Sequence, residues 1–499
     1  MKETVITEEL FTKLEDSIID HKLTIDILQK FNKGDYDHFK PVIVKGFPPV
    51  DNQSIIDKTK EISFNITKGE LKKKLLKYRI SETFSFPDDS KNVTINLTSK
   101  QLQKIGKSLM PLYSFGILNG GSATSYTDKK KNRSFNPELF DLLRDSFDVL
   151  AIASAGRAKG ITPAFLNPDG TAGPSFIELK MRALLINNCS SLFQMTSFFN
   201  DESIRETYTK YKQSPYLKEL IEKKGIAICD VKTGVQPLLA AFTHSSLGKS
   251  KNLFVTDDGF LLPLPGGHGQ CFITLKKVFY ELYEEGIRFI SIGNVDNTGY
   301  IPDPVSLAIL ALSGKQAGFD FSYKTPVDVK GGILVKDDRN RLNCVDLGVA
   351  IDENSVKEAE SNGSSILFNC ATGLFNLEYL VENIDKIINS LPMRFSDQDK
   401  DAGKYSQAEQ VTWEIIGLLD NIVIFAIDKF ERFLASKTIM ENLMTSGIKL
   451  NHPLYPSREN TIAVKLNNGL ETILKTIYGL KLENGQWKPK TVKELEKKL

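Results

Sequence analysis

A short apolar run over 115–118 ends in Asn119, Gly120 and Gly121. Two glycines just past a strand let backbone N–H groups approach a phosphate or a base without side-chain obstruction. An ordinary Gly-Gly turn accounts for the same residues. His268 stands between Gly267 and Gly269, a setting that suits an imidazole offered to a ligand better than one packed on an apolar face. Asp296 lies in the turn Asn294-Val295-Asp296-Asn297-Thr298-Gly299, which follows the apolar run 287–292. A carboxylate there can cap its own turn.

The elements that must hold these residues are legible from periodicity. From Tyr113 onward, short apolar runs that end in Gly-rich or polar turns alternate with helical segments, which predicts an α/β sheet with parallel strands. Residues 192–195 run into Thr196 and Ser197 in the same way. In an open α/β sheet, ligands bind in the crevice beyond the carboxyl ends of the strands. Residues 7–33 carry apolar side chains at three- and four-residue spacing and predict one packed helical face or two, and the Lys-rich stretch 68–77 predicts a solvated helix. Pro137 after Asn136, with Leu139, Phe140, Leu143 and Phe147 on one stripe, predicts a helix inserted over 136–150. The polar stretch 347–365 predicts a loop. Past Phe430 the chain turns Lys-rich and less periodic, which predicts a small C-terminal lobe. The expected division is a mainly helical N-terminal region over 1–105, a catalytic domain over 106–440 and a C-terminal lobe over 441–499.

Composition removes several function classes. Lys plus Arg number 64 against 62 Asp plus Glu, a formal charge of +2, so no global field exists for a nucleic acid. No apolar run approaches the roughly 20 residues of a membrane span. The start MKETVITEEL lacks the apolar stretch of a signal peptide, which points to the cytoplasm. The five cysteines are odd in number and form no C-x-x-C pair, so neither a zinc knuckle nor a disulfide framework is implied.

The segment LNGGSATSY at 118–126 resembles the signature loop of the UDP-sugar pyrophosphorylases. Gly156-Arg157-Ala158-Lys159-Gly160 and then Pro174-Ser175-Phe176-Ile177-Glu178-Leu179 resume the pattern after the inserted helix. Further resemblances follow in order: LFQMTSFFND at 192–201 to the strand end beside uracil, LPGGHGQCF at 264–272 to the Pro-Gly-His-Gly loop, and GNVDNTG at 293–299 to the metal turn. VKGGILV at 329–335, CVDLG at 344–348 and FNCATGLFNL at 368–377 resemble the segments that line the sugar pocket, and RFLASK at 432–437 resembles the one that delivers a second phosphate-binding lysine.

The resemblance implies a Rossmann-like mixed-sheet nucleotidyltransferase core, GT-A-like, with a helical N-terminal region and a small C-terminal lobe. It implies a uridylyltransferase that joins UTP and a sugar 1-phosphate, with glucose 1-phosphate the expected one, into a UDP-sugar and pyrophosphate. Lys159 and Lys437 would serve the phosphates and Asp296 would hold Mg²⁺. Leu118, Asn119, Gly120, Gly121, Met195, Gly267 and His268 would meet the nucleotide, and Asn294, Gly332, Asp346 and Asn369 the sugar. The Gly-His-Gly form leans toward the glucose and broad UDP-sugar branches. The N-acetylglucosamine enzyme, and a catalytically weak UDP-sugar-binding regulator, are the alternatives.

Departures from the pattern are specific. Ala123 stands where the family has its third glycine, and about 30 residues separate the two halves of the loop, far beyond usual loop lengths. Asp346 stands where the family usually has Glu, and Cys370, Ala371 and Thr372 replace its polar run. The glutamine that often faces uracil is missing from VKTGVQP, where Lys232 or Thr233 takes its place. A nicotinamide-linked oxidoreductase is disfavoured because the full G-x-G-x-x-G is absent.

Overall fold

The computed structural model describes residues 7–81, 91–325, 328 and 330–497. Eleven strands form one mixed sheet: β1 (Val44–Gly46), β2 (Ile55–Asp57), β3 (Tyr113–Leu118), β4 (Ser191–Ser197), β5 (Lys232–Gln236), β6 (Phe289–Asn294), β7 (Ala317–Tyr323), β8 (Gly332–Asp337), β9 (Leu342–Asp346), β10 (Leu367–Asn376) and β11 (Ile422–Ile427). Strands such as YSFGIL and IVIFAI are buried at every residue, as parallel strands covered on both faces must be, and so read as continuous apolar runs.

The sheet order is β2-β11-β7-β10-β6-β3-β4-β5, with β8 branching from β10 and carrying β9 and β1. β6, β3, β4 and β5 are mutually parallel, whereas β10 runs antiparallel to β6, β7 and β8. Register brings Asn294, Leu118 and Met195 side by side at the carboxyl ends of β6, β3 and β4. Three segments distant in sequence therefore open into one crevice.

Outside the sheet's carboxyl edge, several expectations meet their outcome. Residues 7–33 form two helices, Glu8–Glu15 and His21–Lys33, and the Lys68–Lys77 helix is present. The stretch expected as a loop over 347–365 contains a helix, Glu353–Ser361, capped by Asp352. Only Val356 of it is buried, so it has no apolar stripe for a periodicity argument to find. Near the C-terminus, Leu470, Ile473, Leu474, Tyr478 and Trp487 join the same core cluster as Phe115 and Ile117 of β3. Among the described residues, no helix is long and apolar enough to cross a membrane. Val329 of the Gly-Gly hairpin segment lies outside the described residues.

The inserted stretch is two helices, Pro137–Leu142 and Arg144–Ser154, with Asn136 accepting from the Leu139 N–H as its cap. Leu139, Phe140, Leu143, Phe147 and Leu150 are buried in one cluster with Ile439, Met440, Leu443 and Met444 of the Ile439–Thr445 helix. The sequence pattern suggested an appendage on a phosphate loop; the packing makes it half of a core. Burying one such side chain is worth about 1.5–3 kcal/mol, so removing five approaches the roughly 5–15 kcal/mol that holds a whole domain folded. Deleting 136–150 is therefore expected to leave little soluble folded protein. A deletion variant with a cooperative melt near that of the parent would contradict this packing.

Candidate active site

The glycine loop closes on the segment that its insertion removed in sequence. The Lys159 N–H donates to the Gly121 carbonyl at 2.9 Å, so Lys159 stands directly beside Gly121. Gly160 is buried, and a Cβ there would lie 2.2 Å from Asn119 Oδ1. Asn119 itself is fully buried: its N–H donates to the Met195 carbonyl at 2.8 Å and its Nδ2 to Gln194 Oε1 at 3.2 Å. Asn200 Nδ2 donates to the Gly120 carbonyl at 3.0 Å. Ala123, at the family's third glycine, sits at φ 54°, the left-handed region that costs an L-residue roughly 1–2 kcal/mol.

Gly160→Ala is expected to force Asn119 or the Lys159 segment aside, at about 1–3 kcal/mol as an overpacked site. The melting temperature should fall accordingly, and an unchanged melt would mean that the two halves are not held in this contact.

On the next strand, β6 delivers Asp296. Its carboxylate is buried, with Oδ2 accepting from Lys437 Nζ at 2.9 Å and Oδ1 left without any partner. Burial works against its charge, but the ammoniums of Lys437 and Lys159 hold its pKa below the usual carboxylate value. Lys437 reaches it because residues 434–437 zip onto the turn. Thr298 N–H donates to the Leu434 carbonyl at 3.1 Å, Ser436 N–H to the Asp296 carbonyl at 3.3 Å, and Leu434 N–H to Asn297 Oδ1 at 2.9 Å. The Lys437 side chain is 57% exposed, and the facing Asp296 charge raises its pKa. Lys159 is the opposite case: buried, with no hydrogen-bond partner for Nζ, its pKa is pushed down to about 7 by burial, with Asp296 opposing and Lys437 adding to the shift.

A cleft of about 240 Å³ adjoins these groups. It is lined by His268, Asn294, Gly332, Asp346, Asn369 and Lys437, six of the residues expected from the sequence. Gly332 is required there: a Cβ would meet Cys344 Sγ at 2.5 Å. His268 Nδ1 lies 2.7 Å from Thr412 Oγ1 and 3.1 Å from the Thr412 N, so that edge of the ring is taken up by Thr412 and Nε2 is the edge left for a ligand. Although the residue opens to solvent, the chain packed around the ring and the Lys437 charge depress its pKa to about 4. Leu118 and Met195 behave differently from the rest, since both side chains are buried in an apolar cluster. They fix strand ends and offer no open side-chain face.

Several residues carry more of the site than the sequence disclosed. Gln236, at the end of β5, donates to the Gly267 carbonyl at 2.7 Å, and its Oε1 lies 3.5 Å from where a Gly120 Cβ would stand. Lys232 and Thr233, read as standing where the family has its uracil-facing glutamine, pair with Glu285 at 2.8 Å and accept from Gln194, respectively. Lys180 is buried and donates to the carbonyls of Asn297 and Tyr300 at 2.8 and 2.9 Å, bracing the turn behind Asp296. Arg394 Nη1 donates to Asp346 at 2.9 Å and its Nε to Glu414 at 2.9 Å. None of these has a local motif, because each acts across the chain; Lys180 sits in a helix, Phe176–Ile186, that also carries Glu178 and Arg182, so it does not stand out by itself.

A mixed sheet that gathers an acid, two lysines and a glycine loop past its strand ends defines a nucleotidyltransferase-like fold of the UDP-sugar pyrophosphorylase type. Residues 192–476, more than half of the chain, match the profile of the family described as UTP--glucose-1-phosphate uridylyltransferase, and the protein belongs to that family. Its sequence is 22% identical over 322 residues to the UTP--glucose-1-phosphate uridylyltransferase of Pyrus pyrifolia, a match covering 62% of this chain and 64% of that one. To the probable UTP--glucose-1-phosphate uridylyltransferase of Schizosaccharomyces pombe it is 24% identical over 214 residues, 41% of this chain and 39% of that one. The matches thus span less than two thirds of either relative.

Among solved structures, the uridine diphosphate N-acetylglucosamine pyrophosphorylase of Trypanosoma brucei superposes with a TM-score of 0.55 at 15% identity, covering 95% of this chain and 87% of that one. The UDP-glucose pyrophosphorylase of Leishmania major gives 0.52 at 15% identity, covering 87% and 77%. These likenesses establish the shared fold.

Proposed function

We propose that the protein is a uridylyltransferase that converts UTP and glucose 1-phosphate to UDP-glucose and pyrophosphate. The observation that carries this reading is the convergence of Lys159, Asp296 and Lys437, from three distant segments, beside a glycine loop and a cleft whose lining includes His268, Asn294, Asp346 and Asn369. Both reactants are anionic, so the protein's share of catalysis is alignment and charge neutralisation around in-line attack at the α-phosphorus. Lys437 and Lys159 would face the phosphates, and the glycine loop would admit the nucleotide. The Nε2 edge of His268 would face it. Asn294, Asp346 and Asn369 would take the sugar hydroxyls.

Asp296 fits Mg²⁺ as a single carboxylate: Oδ1 is orphaned in a buried place, and among the described residues no three His, Cys, Asp or Glu side chains gather into a larger ligand set. When bound, the ion supplies charge neutralisation at phosphate oxygens that also complete its coordination. The cytoplasm is the proposed compartment, which suits five buried free thiols.

The test is pyrophosphate release from UTP with a panel of sugar 1-phosphates, glucose and N-acetylglucosamine among them, with and without Mg²⁺. Fastest turnover with glucose 1-phosphate supports the reading, and preference for N-acetylglucosamine 1-phosphate moves it to the sister activity. One observation favours a second reading, a weakly catalytic UDP-sugar-binding regulator: the Asp346 carboxylate is already engaged by Arg394. UDP-sugar binding without release from any sugar would select it.

A further inference from the structure

Lys159 is a buried ammonium without an anion of its own. No oxygen accepts from its Nζ, and Asp296, which favours its charge, gives Oδ2 to Lys437 at 2.9 Å. Nζ stands instead 2.8 Å from the centroid of the Tyr126 ring, with the Phe176 ring further off at 5.1 Å. A cation over an aromatic face is attracted by the ring quadrupole, and the attraction grows when both are shielded from water. Tyr126 is itself buried, so the pair meets that condition.

The ring is held from two sides. It follows Ala123, whose left-handed backbone turns the chain out of the glycine loop. The Tyr126 carbonyl accepts from Asn132 Nδ2 at 2.8 Å, and Asn132 Oδ1 accepts from the Met440 N–H at 2.9 Å. That second bond ties the ring to the segment bearing Lys437.

We infer that Tyr126 is a positioning residue for the UTP site, its ring face holding the Lys159 ammonium beside Gly121 until phosphate oxygens take it over. The inference rests on the uridylyltransferase reading, and it adds a role in nucleotide capture for a side chain that does not touch the reacting atoms. Tyr126 also packs in the cluster with Leu139 and Phe140, but its reach into the site runs through Lys159, so its removal should alter the response to UTP and leave the sugar phosphate's binding as it was.

The experiment compares Tyr126→Phe and Tyr126→Leu, each alone and in a Lys159→Met background, by steady-state kinetics and by calorimetric binding of UTP. Tyr126→Leu is expected to weaken UTP, in KM and in affinity, by about tenfold, equivalent to about 1.4 kcal/mol. The KM for sugar 1-phosphate should stay within about twofold, and Tyr126→Phe, which keeps the ring face, should restore UTP binding. In the Lys159→Met background the Leu substitution should do nothing further, since the two changes remove one interaction.

The inference is overturned by Tyr126→Leu with unchanged UTP affinity, by an equal loss with Lys159 absent, which is the mark of a packing role, or by Phe failing as Leu does. Wild-type protein that binds no UTP at all would overturn the uridylyltransferase reading and this inference with it. Wild-type binding with an indifferent Tyr126→Leu overturns this inference alone.

Discussion

Asp296→Asn is expected to lower kcat by about a thousandfold, near the upper end of what losing one preorganised charge partner costs, while circular dichroism shows the fold retained. The substitution keeps volume and hydrogen-bonding capacity and removes the charge. In the structure that charge is divided: Oδ2 is matched by Lys437, and Oδ1 has no protein partner in a buried setting. A buried carboxylate oxygen left bare is costly unless something outside the protein completes it. Mg²⁺ held by Asp296 is the proposed completion, and it would supply charge neutralisation toward the phosphates, so the loss should be deepest at limiting Mg²⁺. A mutant as active as wild type at limiting Mg²⁺ would remove Asp296 from the metal role.

Lys437→Met should lower kcat by roughly a hundredfold to a thousandfold, the scale of other preorganised charge stabilisers, and weaken UDP-sugar binding less. As charge builds on the leaving pyrophosphate, a fixed ammonium stabilises the transition state more than the ground state. The geometry supplies the fixing: Asp296 holds Nζ at 2.9 Å, and the backbone bonds between 434–437 and 296–298 hold the segment. The lysine side chain is 57% exposed but its partner Asp296 is buried, so the Met variant leaves a buried carboxylate unmatched and should also lower the melting temperature. Kinetics on the Met variant decides the matter, with kcat within about threefold of wild type meaning under 1 kcal/mol of barrier and no catalytic role. The two substitutions should also be strongly non-additive, because each removes the partner of the other.

Much of the site was legible before any coordinates, and the reason is local. A strand that ends in two glycines, a histidine between glycines and an acid in an Asn-x-Asp-Asn turn each announce themselves within a few residues. Backbone conformation and strand-end position are properties of short segments. The same holds for the cap at Asn136 and for the buried strands of the sheet. The helix Glu353–Ser361 escaped because its single buried residue leaves no stripe to read. The inserted stretch was read as one helix over 136–150 where there are two, and their partner was not found, since an apolar stripe states that a face is covered and never by what.

What the sequence determined by itself, then, was the series of strand-end motifs, their order along the chain and the chemistry each could do. Tertiary structure alone decided that the split loop closes, through one bond between Lys159 and Gly121, and that Lys437 comes back to Asp296. It decided as well that Gln236 lies between the two glycine loops and that Lys180 braces the turn bearing Asp296 from behind. These contacts join residues dozens to hundreds of positions apart. Hydrophobic burial fixes which elements pack together, and only that packing tells a buried lysine whether it will meet a carbonyl, a carboxylate or, as at Lys159, the face of a tyrosine.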